Sequence, residues 1–413
     1  MSSVAVIGAG PAGVEAALYA RALGHEVTVY EKEGPGAHVK RWGFVRLFSP
    51  WKLHTSPLGR ACLAEQGVAQ LDLEECPTGA ELVSRYIEPL ARSLGGSVRS
   101  GVEVRAVSKR GLLKGDNIAG RLRARSPFRI LLGSGAAEDE EHADVVIDAT
   151  GVLGDPCRLG DGGIPALGEE ASDASIRRHV PDALGADRLD LEGRTVLVVG
   201  CGHSAATAVL DLIELMKMAP ETRVVWARRR SGPDPLPVHR PDPLPGRSRL
   251  SEAANRAAAD PPEGLTVLSG VTVSRIAPER SRLCVGFRPV DGGATAEEVV
   301  ADRILSLVGY RPSCGIHREL QVHQCYASEG PMNLAAALLA RGGGGDCLAA
   351  APSGVDIIRN PEPRFFIIGH KSYGRRTDFL LRAAQNQIRD LFRIVEDDPD
   401  LDLYAGAASK AAP

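Results

Sequence analysis

The chain has 413 residues, enough for two domains that each bury most of their apolar surface, and at 44% hydrophobic and 24% charged it is not a disordered sequence. A formal net charge of -3 offers no general attraction to phosphate backbones, so no nucleic acid partner is expected. No apolar run approaches the ~20 residues of a spanning helix and the N-terminus enters a strand at once, with no room for a signal peptide; no membrane partner and a cytoplasmic location are the expectation.

Val4–Ile7 reads as a buried strand, Ala12–Leu23 as a helix stopped at Gly24, and Val27–Tyr30 as a second strand. Strand, helix and strand together have the length that a parallel crossover requires. An amphipathic helix in "PTGAELVSRYIEPLARSL", a strand in "GVEVRAVSKR" and a hairpin closing on the buried strand of "HADVVIDATG" follow. The acidic run Asp139-Glu140-Glu141 is placed at the solvated tip of that hairpin. Thr195–Val199, Ser204–Met216 and Arg223–Ala227 then repeat the strand-helix-strand order. Prolines between Ser231 and Arg249 deny the chain regular ladder bonds, so residues 231–249 read as a loop, either a lid or disordered. "VVADRILSLVGYRPS" mirrors "HADVVIDATGVLGDP", and the two read as paired crossings between domains. The expected architecture is α/β, with two Rossmann-like three-layer domains: residues 1–154 and 310–413 form a discontinuous first domain, and 155–309 a second domain inserted into it. "PMNLAAALLARGGGGDCL" reads as a short helix ended by glycines, because no buried strand precedes it.

Each strand-helix-strand unit opens on a small-residue turn. In Gly8-Ala9-Gly10-Pro11-Ala12-Gly13, Gly8 permits the bend, Gly10 lets the backbone approach a pyrophosphate, and Gly13 allows helix to pack on strand. The helix start that follows favours a diphosphate, and Glu31, ending the second strand, is placed for ribose hydroxyls. The second turn, Gly200-Cys201-Gly202-His203-Ser204-Ala205, has alanine in the third small position. Where an acid would end its second strand stands Ala227-Arg228-Arg229-Arg230. Guanidinium groups pair with a 2'-phosphate that an acid would repel, so NADPH is expected over NADH, with Arg228 and Arg229 as its ligands.

These residues, with "DATG" at Asp148–Gly151, the return "VGYRP" and the late strand-glycine "FFIIG", resemble the flavoproteins with two dinucleotide-binding domains, the broad group of flavin-containing monooxygenases and thioredoxin-reductase-like enzymes. The resemblance spans nearly the whole chain. It implies FAD in the first domain and NADPH in the inserted one. By position it further implies Lys32, Trp42, Arg46, Ser49, Val104, Thr150, Gly151, Gly369 and His370 as neighbours of the flavin nucleotide. His370 stands where relatives commonly carry an aspartate, and the monooxygenase fingerprint F-x-G-x-x-x-H is replaced by a segment offering only His179.

A disulfide reductase of this group needs a cysteine pair beside the flavin. The eight cysteines are scattered, never C-x-x-C; Cys62 stands alone and Cys201 lies in the second turn. The leading expectation is therefore a monooxygenase acting on a small molecule at nitrogen, sulfur or a carbonyl centre. An NADPH-dependent reductase of a quinone, a low-molecular-weight disulfide or another carrier is the alternative, and a nucleotide sensor without turnover a third. His54, Lys371 and Tyr373 are the candidates for catalysis, and Arg375 neighbours them. Cys314, His317, His323, Cys325 and Cys347 carry metal-ligating atoms at spacings that fit no tetrahedral module, so no metal is expected. A homodimer is left open.

Overall fold

The computed structural model describes residues 1–291, 297–341, 348 and 352–410. They divide into two compact units, one made of Met1–Asp155 with Arg311–Pro413, the other of Pro156–Tyr310. In chain order the first unit contributes β1 (Ser3–Ile7), α1 (Pro11–Ala22), β2 (Glu26–Glu31), β3 (Val98–Ser100), β4 (Glu103–Lys109), β5 (Phe128–Ser134), β6 (Ala137–Ala143) and β7 (Val145–Asp148). The second contributes β8 (Ile176–Arg177), β9 (Thr195–Val199), α2 (His203–Met218), β10 (Arg223–Arg228), α3 (Pro245–Ala259), β11 (Leu265–Ser269), β12 (Val271–Glu279), β13 (Arg282–Pro289), β14 (Glu297–Ala301) and β15 (Arg303–Ser306). The chain then returns to the first unit with β16 (Phe365–Ile367) and α4 (Leu381–Glu396).

Each unit is built on a five-stranded parallel sheet, in the order β16-β7-β1-β2-β3 in the first and β11-β10-β9-β15-β8 in the second. Parallel strands covered on both faces read as unbroken apolar runs, and the first sheet shows how the alternation of side chains divides such a run. Val4, Val6, Val29, Ile147 and Phe366 point to one face, where they pack with Ala16, Ala17 and Ala20 of α1 and Ile388 and Leu391 of α4. Ala5, Ile7, Tyr30, Val146, Phe365 and Ile367 point to the other, onto Val104, Val107, Phe128 and Ile130 of the antiparallel sheet β4-β5-β6. The small side chains of α1 bring its backbone close to the sheet, and Tyr19 stacks on Phe392 at 5.2 Å between ring centroids. The second unit pairs its parallel sheet with the antiparallel β12-β13-β14, with Val273, Val285 and Phe287 packed against Leu197, Val199 and Ile304.

Two local expectations are corrected. Asp139-Glu140-Glu141 lies within β6 rather than at the hairpin tip, which turns at Gly135 (φ 59°). The antiparallel register sets Glu140 beside Arg129 (2.6 Å) and brings Glu141 to Arg99 (2.8 Å), so the acids serve an exposed edge strand. The proline-rich segment is irregular only to Leu244. Pro245 opens α3 at a position where a missing N–H has no helical partner to lose, and residues 245–249 are helical. The irregular part is pinned rather than loose: the Asn255 carboxamide accepts from the Leu236 N–H (3.1 Å) and donates to the Leu236 carbonyl (2.9 Å), and Arg247 pairs with Asp242 (2.8 Å). Met332–Ala340 is helical, while the glycines 342–345 that follow it lie outside the described residues.

A buried ion pair closes the first unit. Arg123, on a short helix between β4 and β5, meets Glu362, just before β16, at 2.8–3.0 Å, and both side chains are wholly buried. The remaining guanidinium nitrogen donates to the carbonyls of Leu113 and Asp116, and the carboxylate also accepts from the Gln321 N–H. Removing one partner leaves a buried charge uncompensated. Glu362→Gln is expected to lower unfolding stability by about 3–5 kcal/mol, read from urea midpoints, whereas Arg123→Met with Glu362→Leu recovers most of it.

Candidate functional site

The first glycine turn follows β1. Gly8 has φ 99°, and a Cβ there would lie 2.8 Å from the Ala149 carbonyl oxygen. A Cβ on Gly13 would lie 1.9 Å from the Gly8 carbonyl oxygen, so neither position accepts a side chain. Gly10 differs, since a Cβ there meets nothing within 4 Å. Pro11 starts α1 without any side-chain cap, and the first backbone bond back to the turn is Val14 N–H to Gly10 carbonyl, 3.0 Å. The earlier amides of the helix, Ala12 and Gly13, have no acceptor within the helix and stand at its positive end, next to the open position of Gly10. A nucleotide diphosphate fits this cradle.

Glu31 is buried, and its two oxygens accept from the Ala9 N–H (2.8 Å) and the Glu33 N–H (2.9 Å). It therefore braces the turn, and each oxygen keeps a lone pair for a further donor. Gly369, after β16, faces the turn from the other chain segment: its Cβ would lie 3.1 Å from the Ala12 Cβ, and its N–H donates to Gln387 of α4 at 2.8 Å. Lys32 is exposed, Val104 is a buried residue of β4, and Gly151 takes φ 69°. Trp42 packs over Gly79, and exposed Arg46 donates to the Cys76 carbonyl at 2.5 Å.

The three catalytic candidates are all buried. His54 Nε2 meets Ser49 Oγ at 2.7 Å, and burial pushes its pKa down to about 4. Tyr373 is a core residue, set edge-on to Phe379 at 5.2 Å, with its pKa pushed up to about 12 by burial. His370 stacks on the same Phe379 at 5.4 Å, its pKa lowered by burial. Lys371 instead reaches across the unit: its Nζ donates to Asp148 Oδ2 (2.6 Å) and Thr150 Oγ1 (3.0 Å). Thr150 Oγ1 also donates to Asp148 Oδ1 (2.8 Å), and His317 Nδ1 lies 3.3 Å from Oδ2. Burial alone would raise the Asp148 pKa, but the Lys371 charge and the His317 hydrogen bond outweigh it and hold the carboxyl well below the usual range.

Sequence reasoning quoted Asp148 only as part of a motif and missed its partners. The signal was available in "VVIDATG": an acid ending a fully buried strand needs a cation, and Lys371 follows the neighbouring strand. Among the described residues no group of three or more His, Cys, Asp or Glu is placed to hold a metal ion. Cys314 and His317 do come together, His323 is exposed, and Cys347 lies outside the described residues.

The second turn repeats the steric pattern of the first. Gly200 has φ 143° with a Cβ position 2.3 Å from the Leu307 carbonyl oxygen, Gly202 faces open space, and α2 begins at His203 without a side-chain cap. Ser204 is exposed and Ala205 buried against the sheet; burial lowers the His203 pKa. Arg228 does not stand free at the end of β10. It is buried, its Nε donates to Ser269 Oγ (2.9 Å) and its Nη2 reaches the Pro233 carbonyl (3.3 Å). The exposed guanidinium groups there are Arg229 and Arg230.

His54 makes a titration prediction. Its folded pKa is depressed, so between about 6.5 and 4 the unfolded chain takes up a proton that the folded chain refuses. Stability is full above pH 6.5 and falls as pH drops toward 4, by on the order of 3 kcal/mol from this residue. Unfolding midpoints measured from pH 4.5 to 7.5 are expected to lose that part of their slope in His54→Gln.

The fold is shared with solved flavoenzymes. Bacillithiol disulfide reductase Bdr of Bacillus cereus is 18% identical, with 99% of each chain covered and a TM-score of 0.64. The ornithine N-hydroxylase of Kutzneria sp. 744, solved with reduced FAD, NADP+ and L-ornithine, is 14% identical, with 96% of this chain and 99% of that one covered and a TM-score of 0.65. Thioredoxin reductase of T. acidophilum is 16% identical over 96% and 98% of the two chains, with a TM-score of 0.58. No curated protein matches the sequence, and no described helix is long and apolar enough to cross a membrane. A family model matches residues 2–325, a stretch that takes in both glycine turns, the buried Asp148 and the whole inserted unit: the chain belongs to the pyridine nucleotide-disulphide oxidoreductase family.

Proposed function

We propose that the chain is an FAD-dependent, NADPH-consuming oxidoreductase, and within that class a monooxygenase that oxidises a small molecule at nitrogen, sulfur or a carbonyl centre. The observation that carries the reading is the pair of uncapped helix starts, each opened by a glycine with positive φ and followed by a glycine facing open space, with an acid at the end of one second strand and exposed arginines at the end of the other. In the first unit the Ala12 and Gly13 amides hold a diphosphate, and Glu31 offers its remaining lone pairs to ribose hydroxyls. In the second, the α2 start holds the NADPH diphosphate, and Arg229, with Arg230 beside it, pairs with the 2'-phosphate in place of the buried Arg228. FAD held in the first unit supplies two-electron redox chemistry.

Support for oxygenation over a dithiol relay comes from the thiols. All described cysteines are free, and none lies in the first glycine turn, whose small positions are Ala9 and Ala12. The fold is also one in which an enzyme hydroxylates the nitrogen of ornithine.

The purified protein should be yellow, bleach on anaerobic addition of NADPH, and transfer one atom of labelled oxygen gas to its product; NADPH consumption that leaves the label out of product contradicts the monooxygenase assignment, and a colourless protein that refuses FAD contradicts the whole reading. Gly10→Ala is expected to leave the melting of the flavin-free protein unchanged, because its Cβ meets nothing, while lowering bound FAD per chain. Arg229→Ala should lower kcat/KM for NADPH by roughly 10- to 100-fold, the worth of about 1.5–3 kcal/mol of charge-assisted bonding, and leave that for NADH nearly unchanged.

A further inference from the structure

Arg123 is spent inside the first unit, yet the loop it organises turns other side chains outward. Residues 110–127 join β4 to β5, and their backbone is fixed rather than free. The buried Arg123 guanidinium donates to the carbonyls of Leu113 (2.9 Å) and Asp116 (3.2 Å), so the loop wraps around it. Gln321, from the returning segment, accepts from the Ala119 N–H (3.0 Å) and donates to the carbonyls of Lys114 (2.7 Å) and Asp116 (3.2 Å). Asn117 and Ala119 both take φ 49°, a left-handed conformation that residues with a side chain seldom adopt, and they carry Ile118 between them.

A loop held so firmly nevertheless exposes three large aliphatic side chains, Leu113 at 76%, Ile118 at 75% and Leu122 at 57%. Such residues scattered singly over a surface need no explanation, but three on one pinned loop do. The charges beside them are mostly of one sign. Arg110, Lys114, Arg121 and Arg125 are exposed, as is Arg318, whose carbonyl accepts from Lys114 Nζ (2.6 Å). The loop's acid, Asp116, accepts from the Leu113 N–H at 2.9 Å, and exposed Glu319 follows Arg318. Neighbouring strands treat exposed arginine differently: Arg99, Arg105 and Arg129 each pair with a glutamate of β6. Arg110, Arg121 and Arg125 form no ion pair among the described residues. The chain as a whole carries a net charge of -3, so this local concentration of cations runs against its overall balance.

We propose that the loop between β4 and β5 docks the chain on an anionic membrane surface, with Leu113, Ile118 and Leu122 entering the headgroup layer and the surrounding arginines pairing with lipid phosphates. Such a surface selects aliphatic side chains set among cations, because apolar burial and attraction to anionic headgroups reinforce each other. Guanidinium groups suit phosphate, which they bond through two N–H groups at once. An acidic protein partner is matched less well: the loop offers no tryptophan or tyrosine, and leucine is under-represented among the residues that dominate protein interfaces. The contact lies on the membrane and does not cross it. Short apolar runs exclude spanning alone, so the expectation of no membrane partner is narrowed to that.

The full chain is sedimented with vesicles of phosphatidylcholine alone and with vesicles in which about 30% of the lipid is phosphatidylserine, at low and at high salt. Binding to the anionic vesicles should exceed that to the neutral ones at least about tenfold and fall as salt is added. Arg121→Glu with Arg125→Glu should abolish the preference, and Leu113→Ser with Ile118→Ser should weaken binding about tenfold. Both double variants should keep the circular dichroism spectrum and thermal midpoint of the parent, because all four side chains are exposed. No excess on anionic vesicles, or binding that both variants retain, overturns the proposal. Capture by polyglutamate in place of vesicles does so too, and gives the patch to an acidic protein. A chain that ignores vesicles but forms a dimer, by light scattering, that Leu113→Ser with Ile118→Ser dissociates gives it to a second copy and likewise overturns the proposal.

Discussion

A carboxylate buried at the end of an interior strand is the constraint on which the first unit depends. Asp148 is fully buried where β7 meets the loop to Gly151, and an ion in that position is tolerated only when its lone pairs and charge are met. Thr150 comes from the next turn, and the other partners from distant parts of the chain: His317 from the start of the returning segment and Lys371 from the loop after β16. The pairing therefore specifies how a chain interrupted by 155 residues of another unit, Pro156–Tyr310, rejoins its own sheet. Arg123 and Glu362 do the same on the antiparallel side. Neither pair needs to add net stability over an apolar replacement; what each excludes is an alternative docking that would leave its partner charged and dry.

Sterics govern the two glycine turns as electrostatics govern Asp148. In both, one glycine sits against a carbonyl oxygen of a neighbouring strand's exit, and a second borders empty space at the start of a helix without a side-chain cap. Backbone amides are left at the surface where the strand ends, the place at which open parallel sheets receive ligands. Glu31 is occupied by two backbone amides of the first turn's surroundings, which gives that acid a structural task before any ribose is present. Arg228, turned inward onto Ser269, supports the end of β10 in the same manner.

Much of the fold was legible because its signals are local. Gly8, Gly13 and Gly200 announce turns that no side chain can enter, and runs such as Val4–Ile7 and Thr195–Val199 announce strands covered on both faces. The acidic run of β6 and the start of α3 were misplaced for an equally physical reason. Charge density and proline count describe a segment's solubility and its lost donors, but cross-strand pairing with Arg129 and Arg99, and the tolerance of a helix's first position for Pro245, decide what the segment forms.

By itself the sequence determined the two strand-turn-helix units and their parallel sheets, since these follow from side-chain periodicity and from backbone angles available to glycine alone. Tertiary structure decided which polar residues are spent in holding the fold and which stand ready for a ligand. Lys371 faces Asp148, Tyr373 belongs to the core, Arg228 is turned inward and Arg229 outward, and Cys314 meets His317. Composition and spacing cannot separate those cases, because burial and pairing depend on which neighbours the fold brings up, whether near in the chain, as for Arg228 and Ser269, or far from it, as for Lys371 and Asp148.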